Sequence, residues 1–163
     1  MQIVIVSDSL EQVDALRAMA LRAGLKRVEC FTHPAAALDW CADNEPDLVL
    51  ADHMMRACDG LEFLRRLRAM PHLGDVPFVL MLPPVSGLGP VRALAWKLGA
   101  ADFLTTPVDD TEFVARVRNL LLLRSAALTR AEVPGFSAPP LENTGAHWPD
   151  SLFADRHGLA QFH

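Results

Sequence analysis

Two runs in this chain, Leu48 to Ala51 and Pro77 to Leu82, are apolar without alternation, and each is bounded by turn residues. Runs of that length and character fit strands buried on both faces, which is the environment of a parallel sheet covered by helices. Helical periods separate them. A β-branched run from Ile3 to Val6 ends at Ser7-Asp8-Ser9, after which Leu10, Val13, Leu16, Ala20 and Leu21 recur at helical spacing. Ser9 with Gln12 three residues on predicts a capping box, and Gly24 stands where that helix must stop. Arg27 to Phe31 reads as a second strand, and His33-Pro34 opens a helix to about Asn44.

The same alternation continues to the end of the pattern. Leu61 to Met70 and Pro90 to Leu98 give helical periods, the latter closed by Gly99, and Ala101 to Leu104 gives a fifth short strand. A long helix runs from Asp109 to about Arg130, with acids at its start and arginines further on, as the helix dipole favours. Repeated strand-then-helix units predict a doubly wound five-stranded parallel α/β sheet with right-handed crossovers. In the 2-1-3-4-5 order the first and third strands are neighbours at the topological switch point, where such sheets keep their chemistry. Asp8 and Asp52 end those two strands, so two carboxylates converge.

The 163 residues suit one domain with an appendage, and 51% hydrophobic content supports a sizeable core. A net charge of −5 argues against nucleic-acid binding. Cys30, Cys41 and Cys58 form no CxxC pair and read as reduced thiols. No apolar run reaches membrane-spanning length, and the expected location is cytoplasmic, with no membrane partner.

These residues resemble the receiver domain of two-component response regulators over residues 1 to about 125, with 126–163 as helix extension, proline-rich linker and aromatic arm. The resemblance is carried by Ser7-Asp8, by Asp52 with Met55 and Asp59-Gly60, by Gly99-Ala100-Ala101-Asp102-Phe103-Leu104, and by Thr106-Pro107. It implies that Asp52 is the position that accepts a phosphoryl group from a histidine kinase. It also implies a Mg2+ site made by Asp8, Asp52 and the main-chain carbonyl of Met54, and a cis bond before Pro107.

Four positions depart from that pattern. Ser7 replaces the first acid of the metal pair, which weakens the Mg2+ site. Thr106 replaces the lysine and offers one neutral hydrogen bond where a charge-assisted bond is expected. Pro83 replaces the switch serine or threonine and has no side-chain donor. Phe103 occupies the aromatic switch position without a hydroxyl. Arg56, in place of a proline, is the one candidate substitute cation, against the alternative of a solvated loop arginine.

The expectation is therefore a degenerate receiver that signals by protein contacts, independent of phosphorylation and without enzymatic activity. The alternative is a receiver phosphorylated on Asp52 with Mg2+. An aspartyl-intermediate phosphatase needs a second acid where Met54 stands, and a flavodoxin-like cofactor binder needs a phosphate-cradling loop after the first strand. His53 beside Asp52 lacks ligand-cluster spacing and reads as a loop residue. Homodimerisation or partner binding is expected through the fourth and fifth helices, with Trp96 exposed or core-packed. The arm bearing Trp148 and Phe153 is too aromatic for a solvated tail and reads as a docking segment, with a short helix over 150–162.

Overall fold

The computed structural model describes residues 1–131. The strands are β1 (Gln2–Val6), β2 (Arg27–Phe31), β3 (Leu48–Asp52), β4 (Phe78–Leu82) and β5 (Asp102–Thr105). The helices are α1 (Leu10–Arg22), α2 (Pro34–Asp43), α3 (Gly60–Arg68), α4 (Gly89–Lys97) and α5 (Asp110–Ala131). The sheet order is β2-β1-β3-β4-β5 and every pairing is parallel. Element bounds follow the apolar spacing to within one or two residues. A 3-10 turn at Pro71–Leu73, which the sequence reading does not contain, links α3 to β4.

Both faces of the central strands are buried, and alternate residues divide between two cores. Val4, Val6, Val49, Ala51, Phe78, Leu80 and Leu82 pack under α2, α3 and α4, where Phe63 stacks on Phe78 at 6.2 Å. Ile3, Ile5, Leu48, Leu50, Val79 and Met81 pack under α1 and α5, against Leu16, Ala20, Phe113, Val117 and Leu121. Fully burying each large side chain of this kind contributes about 1.5–3 kcal/mol, so the unalternated runs supply the main drive for the fold. Burial keeps the thiols protonated: Cys41 is pushed up to about 11, and Cys30 and Cys58 also rise.

Local chemistry sets the helix ends. Ser9 caps α1 by accepting from Gln12 N at 3.3 Å, and Gly24 at φ +88° terminates it. Only half of the expected capping box forms, because Ser9 N donates to Ser7 Oγ at 3.2 Å and leaves the Gln12 side chain free for another role. Asp59 caps α3 by accepting from Leu61 N and Glu62 N, both at 2.9 Å. Asp109 accepts from Glu112 N at 2.9 Å at the start of α5. Among the described residues no helix is long and apolar enough to cross a membrane.

Gly60 holds the loop after β3 against the sheet. A Cβ there would stand 2.4 Å from Leu80 Cδ1, 2.7 Å from the Asp52 carbonyl oxygen and 2.9 Å from His53 Cα. Two of those neighbours are backbone and cannot swing away. Gly60→Ala is therefore expected to destabilise the fold by about 1–3 kcal/mol, the usual range for overpacking. Urea unfolding checks this, and a midpoint equal to that of the parent protein contradicts it.

Candidate functional site

The register of β1 on β3, with Val6 opposite Ala51, brings Ser7 and Asp52 together at the carboxyl edge of the sheet. Ser7 is fully buried and Asp52 is 7% exposed. Asp52 Oδ2 lies 3.3 Å from Ser7 Oγ, which donates to it, and Oδ1 accepts from Met54 N at 3.1 Å. Burial raises the Asp52 carboxyl above its ordinary value of 3.8. The Met54 N–H and the Ser7 hydroxyl pull it down, the Asp8 carboxylate pushes it up, and the His53 N–H pulls it down again. The net direction is upward, so desolvation outweighs the donors.

Asp8 is held from the other side. Its Oδ2 accepts from Arg56 N at 3.2 Å, and Arg56 Nε lies 3.5 Å away. The Arg56 side chain is 95% exposed, so the ion pair is a weak one and the main-chain bond is the firmer tie. The Arg56 guanidinium thus reaches Asp8 of the acid pair while remaining solvated.

The other switch positions point elsewhere. Thr106 Oγ1 donates to the Leu82 carbonyl at 3.3 Å, and Thr106 N donates to the same oxygen at 2.8 Å. Its hydroxyl is spent on the end of β4. The bond to Pro107 is cis, as the resemblance implies. Pro83 follows directly on Leu82 and offers no donor. Phe103 is buried in the core under α4. Its ring meets Trp96 edge-on at 4.9 Å, and the Arg92 guanidinium sits 5.1 Å above it. Trp96 combines the two readings the sequence left open, since it packs on Phe103 and is still 53% exposed. Trp148, Phe153 and the short helix expected after them lie outside the described residues.

Sequence reasoning missed one site residue. Gln12 Oε1 lies 3.3 Å from Ser7 Oγ, and Gln12 Nε2 lies 3.9 Å from Met81 Sδ. The hydroxyl has one proton and two acceptors within equal reach. The available signal was positional, because the third residue after an N-cap turns back toward the strand that precedes the helix.

Of the Mg2+ ligands that the resemblance implies, the structure brings Asp8 and Asp52 to one pocket. Mg2+ is usually held by one or two carboxylates plus waters, so this donor set fits a weak site. Two features oppose it: the Ser7 hydroxyl occupies Asp52 Oδ2, and Arg56 engages Asp8. Among the described residues there is no group of three or more His, Cys, Asp or Glu side chains placed to hold a metal.

Comparison with known proteins agrees with the fold. The family profile for the response regulator receiver domain matches residues 3–118. The cyclic di-GMP phosphodiesterase response regulator RpfG of Xanthomonas campestris pv. campestris is 40% identical over 126 residues, which are 76% of this chain and 32% of that protein. Response regulator PleD of Caulobacter vibrioides is 35% identical over 117 residues, 72% of this chain and 25% of that protein. The chain thus spans about a third or less of the length of these curated relatives. Among solved structures, the signal receiver domain of a signal transduction histidine kinase from Syntrophus aciditrophicus superposes with TM-score 0.66 at 28% identity, covering 74% of this chain and 89% of that one.

The raised Asp52 carboxyl gives a stability test with a defined sign. The folded protein holds this proton more tightly than the unfolded chain, so the group contributes stability below the ordinary carboxyl value and loses it as pH rises through the raised folded value. Asp52→Asn is expected to stabilise the protein at pH 7 by about 0.5–2 kcal/mol, the range typical of relieving one unfavourable site. The gain should shrink as pH falls toward the ordinary carboxyl range. Thermal unfolding across that range checks it, and an Asn variant less stable than the parent at pH 7 contradicts it.

Proposed function

The chain belongs to the response regulator receiver domain family, and on that premise we propose that it works in two-component signalling as a protein-contact module that does not depend on phosphorylation of Asp52. One observation carries the reading. The hydroxyl of Thr106, at the lysine position, is bonded to the Leu82 carbonyl, while Pro83 next to it has no donor at all. An acyl phosphate on Asp52 would carry several negative oxygens into a pocket where, among the described residues, Arg56 is the one nearby cation and neither Thr106 nor Pro83 turns a hydroxyl toward Asp52. Preorganised donors and charges of that kind are what stabilise such a group. Arg56 is the described cation against the acid pair, and it engages Asp8 from solvent.

In this reading Mg2+ binds weakly if supplied, through Asp8, Asp52 and the Met54 carbonyl, and is not needed for the contact function. No described residue is assigned a catalytic role in this reading. Partner contact is assigned to the fourth and fifth helices, where Leu94 and Trp96 on α4 and Leu122 on α5 are exposed. A second copy or another signalling protein would bury them. The alternative, a receiver phosphorylated by a histidine kinase, is favoured by one feature: Asp52 and Asp8 still converge at the strand ends.

Incubation with acetyl phosphate and Mg2+, followed by intact-mass measurement, separates the two. The expected result is no phosphoryl adduct above the level of Asp52→Asn. The combined reversal Pro83→Ser with Thr106→Lys should raise the adduct about tenfold or more, since one charge-assisted bond contributes roughly 1.5–3 kcal/mol. A stable, Asp52-dependent adduct on the unaltered chain overturns the proposal.

A further inference from the structure

At the opposite end of the sheet from Asp52, α5 overshoots the domain. Its last core residue is Leu121, yet the helix continues to Ala131. The overhang forms one wall of an apolar groove of about 400 Å³, lined by Leu120, Leu123, Ala127 and Leu128 with Pro77 across from them. Leu123 is 68% exposed, an unusual position for leucine on a helix whose opposite side is fully packed. Arg124 closes the groove. It is only 8% exposed, it pairs with Glu45, and its Nη1 donates to the Asp75 carbonyl at 3.4 Å. Its Nε is buried with no partner. The Arg124 head group is thus committed to the floor of the groove, and what the groove lacks is an apolar cover.

We propose that this groove is the seat of the chain's own C-terminal segment, with Trp148 and Phe153 as its anchors. The continuation of the chain decides between occupants. Residues 132–163 follow directly from the end of α5, and they carry Phe136, Trp148, Phe153 and Phe162 with Arg156 as their one Lys or Arg. The stretch from Ala131 to Trp148 has a root-mean-square reach of roughly 20–25 Å as a flexible chain. The groove extends back only to Leu120, about 16 Å along the helix at 1.5 Å per residue. Return is therefore within easy reach. A tethered segment at such a distance has an effective concentration of millimolar order, which a second copy reaches only in concentrated solution. This seat is independent of the state of Asp52.

The indole N–H signal of Trp148, assigned by its loss in Trp148→Phe, reads the docking in the full-length protein. Docking predicts a Trp148 signal shifted from the free-indole position and shielded from a soluble paramagnetic quencher, unchanged on tenfold dilution. Leu123→Asp and Leu128→Asp should return it to the free position and raise its quenching several-fold. Leu122→Asp, on the neighbouring strip of α5 outside the groove, should leave it unmoved. All three leucines are exposed, and unchanged Trp40 and Trp96 signals certify the fold of each variant. A free Trp148 signal in the parent protein overturns the proposal, as does an equal response to Leu122→Asp. A signal that changes with dilution assigns the groove to a second copy and overturns it as well.

Discussion

A single buried carboxylate, held at the carboxyl edge of a parallel sheet by a neighbouring hydroxyl and one main-chain N–H, organises the functional end of this protein. Asp52 reaches that position because β3 runs between β1 and β4, and because Gly60 lets the following loop close over the strand end. Burial disfavours the charged form, and Ser7 and Met54 offset part of that cost. Where the family resemblance implies a second carboxylate, Ser7 donates a hydrogen bond in its place. Asp52 is thereby partly satisfied from within the protein, with Arg56 reaching Asp8 from solvent.

The reading proposed above amounts to a separation between the acid pocket and the surface that would report on it. Thr106 is tied to the end of β4, Pro83 has nothing to donate, and Phe103 is held under α4 by Trp96 and Arg92. Aromatic pairs of this geometry contribute about 0.5–1.5 kcal/mol beyond burial, and a cation over the ring adds about 0.5–1 kcal/mol at exposed sites. Those contacts hold Phe103 against α4 and support the contact module proposed above.

Much of this is legible in the chain before any coordinates. Unalternated strands at Leu48–Asp52 and Phe78–Leu82 mark the buried centre of the sheet, and the acids that follow the first and third strands fix where the pocket lies. The departures at Ser7, Pro83 and Thr106 from the pattern that the resemblance implies can be read residue by residue, since each side chain differs from the expected one in charge or donor capacity. Orientation is what the sequence withholds. That the Thr106 hydroxyl turns to the Leu82 carbonyl, that Gln12 reaches back to Ser7, and that Trp96 lies edge-on to Phe103 all depend on side-chain torsions set by tertiary packing. The 3-10 turn at Pro71–Leu73 escaped for a related reason, since three residues carry too little periodicity to register.

The most direct test of this separation is a comparison of backbone amide spectra with and without Mg2+ and beryllofluoride, which mimics a phosphoryl group on Asp52. The account predicts that any shifts stay within the loops that carry Ser7, Asp8 and residues 52–60. Shifts that extend to Trp96, Phe103 and the rest of α4 would contradict it, because they would show that occupancy of Asp52 is felt across the domain.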